Sequence, residues 1–600
     1  MKDQKYSVNQ HFIETILAWV KAGEIAIPEI QRPFLWDAAK VRDLMDSLYQ
    51  GYPIGYLIAW RNPNVRLKDG RTAEGKKILI DGQQRVTALK AAVLGDSVVN
   101  RDYRKIKIKI AFHPLKEIFE VFNPAIAKDS AWIPDISPVI SGNEGIFKLV
   151  KNYCSKNPDI DEEHIGAILE KLRQITKKQL GLIELDSDLD IETVTEIFIR
   201  INSAGVVLSQ ADFVMSKIAS NEKYGGPILR KCIDYFCHLA VAPEFYPTLE
   251  ETDKEFVTTN YFPRITWLKD EKDDLYDPDY GDLLRVAFTS EFNRGKLADL
   301  VSLLSGRNFL TRTYEEEIAE QSFQNLEKGI LNFINENNFK RFLMILNSAG
   351  FISSSLIRSQ NSLNFAYIVY LKLRSLDKKY NPGDIEIYVR KWFVFSILTG
   401  RYSGSPETRF DFDIKQISDS GIQEHLEKVE KAELSDAFWD VALIQNLTTP
   451  VASSPYFNAY LAAQVKQNDN GFLSRDITVK DMIAHRGDIH HIFPRDYLKS
   501  CGMTRNKYNQ VANYVMMQSE INIQIGKKAP NIYFNELRDQ CNGGEKKYGN
   551  ITEYRELIEN MRMNCIPETV FEMDSTDFEQ FLSQRRILMA RKIRKYYFSL

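Results

Sequence analysis

Asp488-Ile489-His490-His491-Ile492-Phe493-Pro494, with Asn513 and Asn522 downstream, is the stretch on which the reading of this chain turns. The protein has only 8 His, and three of them lie between His485 and His491. Neighbouring side chains of an extended strand point to opposite faces. His490 and His491 therefore cannot do the same job in the same place: one can face a metal ion while the other faces an attacking water. Neutral imidazole suits both roles near pH 7. Pro494 offers no N–H to a ladder and ends the strand. The run from Asn513 to Asn522, NYVMMQSEIN, reads as a second short strand entering a helix or turn. An asparagine oxygen can ligate a hard cation or hold a histidine in one orientation.

The segment His490-His491-Ile492-Phe493-Pro494 resembles the (D/E/H)-H-I-x-P core of HNH (ββα-metal) nucleases. The nine-residue step from Asn513 to Asn522 is similar to the step between two asparagines in the RNA-guided DNA nucleases of that family. The resemblance implies phosphodiester hydrolysis, which needs a base for water and a cation for the developing charge. Carried over by position, His491 is the general base and His490 a metal ligand. Asn513 orients the loop of the base, and Asn522 is the second ligand of Mg2+ or Mn2+. Asp488 and Glu520 are further candidates for the metal shell. The spacing from His491 to Asn513 is long for a minimal unit of this kind, which implies an inserted turn around Cys501 to Lys507.

Six hundred residues exceed one ordinary core, so several domains are expected. With 44% hydrophobic and 26% charged residues, the composition argues against long disorder. No apolar run approaches a membrane span, and the N-terminus lacks the apolar core of a signal peptide, so a cytoplasmic protein without membrane contact is expected. The cysteines at 154, 232, 237, 501, 541 and 565 form no CxxC pair, which speaks against a structural zinc site and for a reduced compartment. Cys232, Cys237 and His238 lie in an apolar, helical stretch and read as core. Net charge is −3, so this is not a globally basic nucleic-acid binder. From 471 to 600, however, 20 basic and 16 acidic residues leave +4. Arg585-Arg586 and Arg591-Lys592-Ile593-Arg594-Lys595 supply that excess and either contact phosphates or form a solvated helix face.

A second cluster of chemistry lies in the first third. The segment from Ile27 begins as a strand, turns at Pro33 and becomes a helix N-capped by Asp37. Val41, Leu44, Met45 and Leu48 follow helical spacing; Gly51-Tyr52-Pro53 closes the helix, and Ile54 to Trp60 forms a strand. Trp36 and Trp60 read as core. Next, the apolar Ile78-Leu79-Ile80 runs into Asp81-Gly82-Gln83-Gln84-Arg85 and then a helix. A strand-to-helix turn exposes backbone N–H groups that attract anions. Gly82 permits close approach, Asp81 can hold a metal or a sugar hydroxyl, and Arg85 can clamp a phosphate. No GxxxxGK[ST] loop is present here.

IPEIQRPFLW, YPIG and DGQQR, followed by Phe198-x-Arg200-x-Asn202-x-x-Gly205-x-x-Leu208-Ser209, resemble the motifs of the ParB/sulfiredoxin-like domain of GmrSD-type, modification-dependent (type IV) restriction enzymes. With the HNH-like segment at the other end, the resemblance covers roughly residues 10–220 and 440–600. It implies a nucleotide pocket lined by Gln31, Arg32, Asp81, Gly82, Gln83, Gln84, Arg85 and Asn202, binding and hydrolysing ATP or GTP. It also implies cleavage of modified, foreign double-stranded DNA such as that of phages. The expected architecture is α+β and multidomain: an α/β ParB-like domain over 1–220, a helical connecting domain over 221–445, and an HNH domain with flanking helices over 446–600. Helices are expected at Phe323–Phe342, Leu363–Leu376, Ile385–Leu398 and Ile422–Lys431, with a Pro-, Ser- and Thr-rich linker near Thr448–Pro455. Gly400-Arg401-Tyr402-Ser403-Gly404-Ser405 reads as a capped loop. One catalytic histidine makes one cut, so nicking or a homodimer is expected. The competing readings are a nucleotide-switched DNA sensor without cleavage and an HNH RNase or toxin.

Overall fold

The computed structural model describes the chain except residues 1–3, 27–35, 62–76, 100–104, 143, 159, 187–188, 190–196, 198–209, 220, 377–378, 486 and 488. The contacts divide it into two compact units, Met1–Glu222 and Lys223–Leu600. The boundary expected at 445/446 lies inside the second unit.

The first unit is organised by a mixed sheet of five strands: β1 (Tyr6–Phe12), β2 (Ile25–Ala26), β3 (Tyr56–Arg61), β4 (Lys77–Asp81) and β5 (Gln179–Leu185). Their spatial order is β1-β5-β3-β4-β2. β5 runs antiparallel to β1 and parallel to β3, and β3 is antiparallel to β4. Strand β3 shows the period of two expected of a strand buried on both faces. Leu57 and Ala59 join the main core, while Ile58 and Trp60 join a second cluster with Leu185 and Leu189. Helix α1 (Ile13–Ala22) and helix α2 (Ala38–Gln50) cover the main face. As the sequence implies, Asp37 caps α2 by accepting the Lys40 N–H at 2.8 Å, and Val41, Leu44, Met45 and Leu48 are its buried stripe. Gly51 ends it in the left-handed region. Trp60 is buried, its indole N–H bonded to the Asp186 carbonyl, and Trp36 packs half-buried on the core. The strand expected from Ile27 lies outside the described residues.

The second unit is mostly helical. The stretch expected as one helix over Phe323–Phe342 is two: α4 (Glu316–Phe333) and α5 (Glu336–Ser348). Asn335 interrupts it because its side chain accepts the Asn338 N–H at 3.1 Å, the local bond that makes asparagine a cap rather than a helix interior residue. The other three expected helices are present as α6 (Gln360–Arg374), α7 (Pro382–Thr399) and α9 (Ile422–Glu433), with α8 (Pro406–Ser420) between the last two. Aromatic rings fill the centre: Phe342 stacks on Tyr367 at 4.6 Å, and Tyr367 donates to the Phe333 carbonyl at 2.7 Å. Cys232 and Cys237 are fully buried, and His238 stacks on Phe245 at 3.8 Å, as a core reading requires.

The loop at 400–405 does more than cap. The Arg401 guanidinium forms a two-bonded pair with Asp413 and also reaches Glu433; Tyr402 and His425 complete the Asp413 shell. Asp413 is wholly buried, and these partners hold its carboxyl below the ordinary range despite the desolvation that opposes them. The expected linker is also bound into the fold. The Thr449 carbonyl accepts the Val511 N–H at 2.8 Å, the Pro450 carbonyl accepts the Tyr514 hydroxyl at 3.0 Å, and Pro455 opens α10 (Pro455–Lys466). No helix among the described residues is long and apolar enough to cross a membrane.

Candidate active site

Two three-residue strands form the centre of the site: β6 (Ile489–His491) and β7 (Tyr514–Met516), antiparallel, with His490 opposite Val515 and His491 opposite Tyr514. β6 stops at His491, before the proline, and Pro494 opens α11 (Arg495–Ser500); a turn with Gly502 at φ 83° leads to α12 (Arg505–Tyr508). The turn expected around Cys501 to Lys507 is thus the join between two short helices. After β7 the chain enters α13 (Ser519–Ile525).

The two histidines have different surroundings, as their alternation on a strand demands. His491 Nε2 lies 3.0 Å from Asn509 Oδ1, and the His491 ring meets Tyr514 edge-on at 5.2 Å. A carbonyl oxygen only accepts, so Nε2 carries the proton and Nδ1 keeps its lone pair. Burial, chiefly, lowers the His491 pKa below its ordinary value; the Asn509 bond opposes the shift, and the Arg495 and His490 charges add to it. The ring is therefore neutral near pH 7. His490 Nε2 sits 3.5 Å from the hydroxyl of Ser519, at the start of α13.

Asn513 is fully buried, so it touches no substrate. It replaces ladder bonds that two such short strands cannot supply. Its Oδ1 accepts the Phe493 N–H at 2.8 Å, and its Nδ2 donates to the carbonyls of Phe493 at 3.2 Å and Tyr508 at 3.3 Å. Its own carbonyl accepts the Ile492 N–H. These bonds fix the turn after His491 and the end of α12 together. Behind it, Arg585 of the long C-terminal helix α15 (Phe578–Phe598; Tyr554–Met563 is α14) is wholly buried. It donates to the carbonyls of Ala512 at 2.9 Å and Asn564 at 3.1 Å. The basic run is thereby corrected at its first residue: Arg585 holds the Asn513 loop from inside. A lone arginine fits here because its fork satisfies two carbonyls at once.

Asn522 lies one turn along α13 from Ser519, half-buried, with its side chain in no hydrogen bond to a described residue. Glu520 is exposed in the first turn of the same helix. Asp488 lies outside the described residues. Among the described residues no group of three or more His, Cys, Asp or Glu side chains could hold a metal ion. The donors at hand, one imidazole nitrogen and one amide oxygen, fit a divalent cation that keeps most of its water, as Mg2+ does.

In the first unit, β4 ends at Asp81 and α3 (Gln83–Leu89) starts after Gly82. The register of β3 on β4 shifts between Ile58 and Ala59, opposite Asp81 and Leu79. This irregularity sharpens the strand's bend just before the turn. Gly82 has φ 95°, and a Cβ there would sit 2.3 Å from Leu57 Cδ2, so any other residue would be strained and would displace Leu57. The Arg85 Nη1 donates to the Tyr56 carbonyl at 2.7 Å, and Gln83 Nε2 to the Leu79 carbonyl at 3.3 Å. Burial lowers the Arg85 pKa and the Asp81 charge opposes it. Asp81, Gly82, Gln83, Gln84 and Arg85 are consecutive and all half-buried, so one turn brings them together. Gln31, Arg32 and Asn202 lie outside the described residues.

Sequence reasoning missed Asn509, Ser519 and the inward role of Arg585. Asn509 stands four residues before Asn513 in no motif, and Arg585 looks like any other member of a basic run.

Residues 13–219 match the family model described as GmrSD restriction endonuclease, N-terminal domain. The whole chain is similar to an uncharacterized protein, MJ0686, of Methanocaldococcus jannaschii. The two are 21% identical over 647 aligned positions, which cover 97% of this chain and 98% of that one.

Proposed function

We propose that this protein is a divalent-metal-dependent DNA endonuclease of the restriction class, acting on modified DNA and governed by a nucleoside triphosphate bound at Asp81–Arg85. The observation that carries the proposal is the placement of His491. Its Nδ1 keeps a lone pair, its Nε2–H is held by Asn509, and its turn is clamped by a buried asparagine. The match of residues 13–219 to the N-terminal domain of GmrSD restriction endonucleases supports the restriction reading.

In the proposed reaction His491 Nδ1 takes a proton from a water molecule. The oxygen of that water bonds to phosphorus, the bond from phosphorus to the leaving oxygen breaks, and that oxygen receives a proton from solvent. Asn509 keeps the imidazole in the reactive tautomer and accepts a stronger bond as the ring becomes charged. Asn513 acts through the backbone as a positioning residue. His490 and Asn522, with Asp488 as a further candidate, would hold Mg2+ or Mn2+. That ion would supply Lewis-acid stabilisation of the phosphate charge. At the other site Arg85 and the backbone after Gly82 would hold phosphate, with Gln31, Arg32, Gln83, Gln84 and Asn202 around the nucleotide. ATP and GTP are both candidates.

The test is cleavage of matched modified and unmodified duplexes with Mg2+ or Mn2+, with and without ATP or GTP. Metal-dependent cutting of the modified duplex alone, altered by nucleotide, is the expected result. Nucleotide hydrolysis without cutting would favour a DNA sensor, and cutting of RNA alone an RNase; either would overturn the proposal.

A further inference from the structure

The basic run at 585–595 looks like the place where the chain would meet phosphates, but half of its six cations already have partners in the fold. Arg585 is buried on carbonyls. Lys592 pairs with Asp469 at 2.6 Å, both nearly buried, and Arg594 pairs with Asp436 at 2.6 Å. A phosphate could not reach Arg585 from solvent, and at Lys592 or Arg594 it would have to compete with an existing ion pair.

Beside His491 the surface is supplied by another segment. Residues 495–508, the two short helices between the strands, carry Arg495, Lys499, Arg505 and Lys507 against a single acid, Asp496, a net of +3. Lys499, Arg505 and Lys507 are exposed and in no ion pair with a described residue. Among the described residues Arg495 pairs with its neighbour Asp496, at 3.4 Å, and both are more than half exposed. Both ends of the segment are fastened at the histidine. Pro494 stands three residues after His491; at the other end the Tyr508 ring lies 6.2 Å from the His491 ring, and Asn509 bonds it. The segment is also held from behind: Leu498 and Tyr508 are buried, and the Tyr497 hydroxyl accepts the Ser575 N–H at 3.0 Å.

We infer that residues 495–508 are the dock for the phosphate backbone of duplex DNA, setting the register in which a scissile bond reaches His491. The inference rests on the nuclease reading above. Exposed cations without protein partners displace the counterions of the duplex and lose nothing else, so they supply binding that weakens steeply with salt.

The experiment measures binding of a fluorescent duplex to the full chain in EDTA, across a salt series. The proteins compared are wild type, K499Q/R505Q/K507Q, and R591Q/K595Q as a control on two exposed cations of α15. About 0.9 of salt slope is expected to vanish for each lost contact, so a fourfold rise in salt costs wild type about 40-fold more affinity than the triple variant. The single variants Lys499→Gln and Arg505→Gln should each lose about a third of that slope difference. The control should keep the wild-type slope. An unchanged slope in the triple variant, or an equal loss in the control, overturns the inference and leaves the nuclease reading standing. No duplex binding by wild type at any salt overturns that reading itself. RNA binding that alone responds to the triple substitution overturns the DNA assignment.

Discussion

At Asp81-Gly82 the chain turns because sheet pairing carries it to a glycine that accepts a positive φ, whereas at His491–Pro494 it turns because other side chains hold it. The first turn ends β4, which pairs with β3 as far as Asp81 and with β2 at Lys77 and Ile78. It needs only a glycine at φ 95° and the bond from Arg85 to the Tyr56 carbonyl. The second turn joins a ladder of three residue pairs. That is too little sheet to fix a loop, since an isolated hairpin is marginal in water. Asn513, Asn509 and Arg585 supply the missing constraint from 18 to 94 positions further along the chain. Both sites draw on residues separated in sequence, Arg85 reaching Tyr56 29 positions away and Asn509 reaching His491 18 positions away; what differs is that sheet pairing fixes the first turn and side chains fix the second.

The comparison can be broken or sharpened by substitution. His491→Ala should reduce DNA cleavage by about a thousandfold or more, on the scale of losing a general base, while the protein keeps its fold and its nucleotide binding. A variant cutting at the wild-type rate would remove His491 from the chemistry. Asn513→Ala leaves buried backbone groups of Phe493 and Tyr508 without partners. About 3 kcal/mol of stability should be lost from the second unit in denaturant titration, with cleavage falling alongside it. A neutral outcome would mean that the hairpin holds its own turn.

Gly82→Ala must accommodate a Cβ 2.3 Å from Leu57 at positive φ. We expect about 2 kcal/mol of destabilisation confined to the first unit, read as lost nucleotide binding with the Asn513 region unchanged in hydrogen exchange. A smaller effect concerns pH. Burial lowers the His491 pKa from its ordinary 6.5. The base is therefore neutral above that lowered value, and cleavage should fall only as pH drops through it, below 6.5. Asn509→Asp places a carboxylate at Nε2, favours the imidazolium, and should move the acid limb of the rate profile upward. A limb that stays in place would break the proposed link between Asn509 and the base.

Much of the local structure around both regions was legible. Asp37, Val41, Leu44, Met45, Leu48 and Gly51 announced α2 through capping, spacing and a stop signal, and the structure places each in that role. The two-strand reading around His491 and Asn513 holds because alternation is a local rule, although the first strand stops at His491, before Pro494. The helix over Phe323–Phe342 failed where apolar periodicity ran unbroken across a cap at Asn335. Arg401 likewise read as loop; only the approach of α8 and α9 brings Asp413, His425 and Glu433 to it.

By itself, the sequence determined what short-range physics governs. It set which residues turn, which face of each helix is apolar, and that two imidazoles on one strand point apart. The tertiary structure decided which charges are spent and which remain. Arg585, Lys592 and Arg594 vanish into the interior or into ion pairs, while Lys499, Arg505 and Lys507 stay at the surface beside His491. Charge is written in the sequence, but its availability depends on partners as far away as Asp436 is from Arg594, 158 residues, and only folding brings those partners within bonding distance.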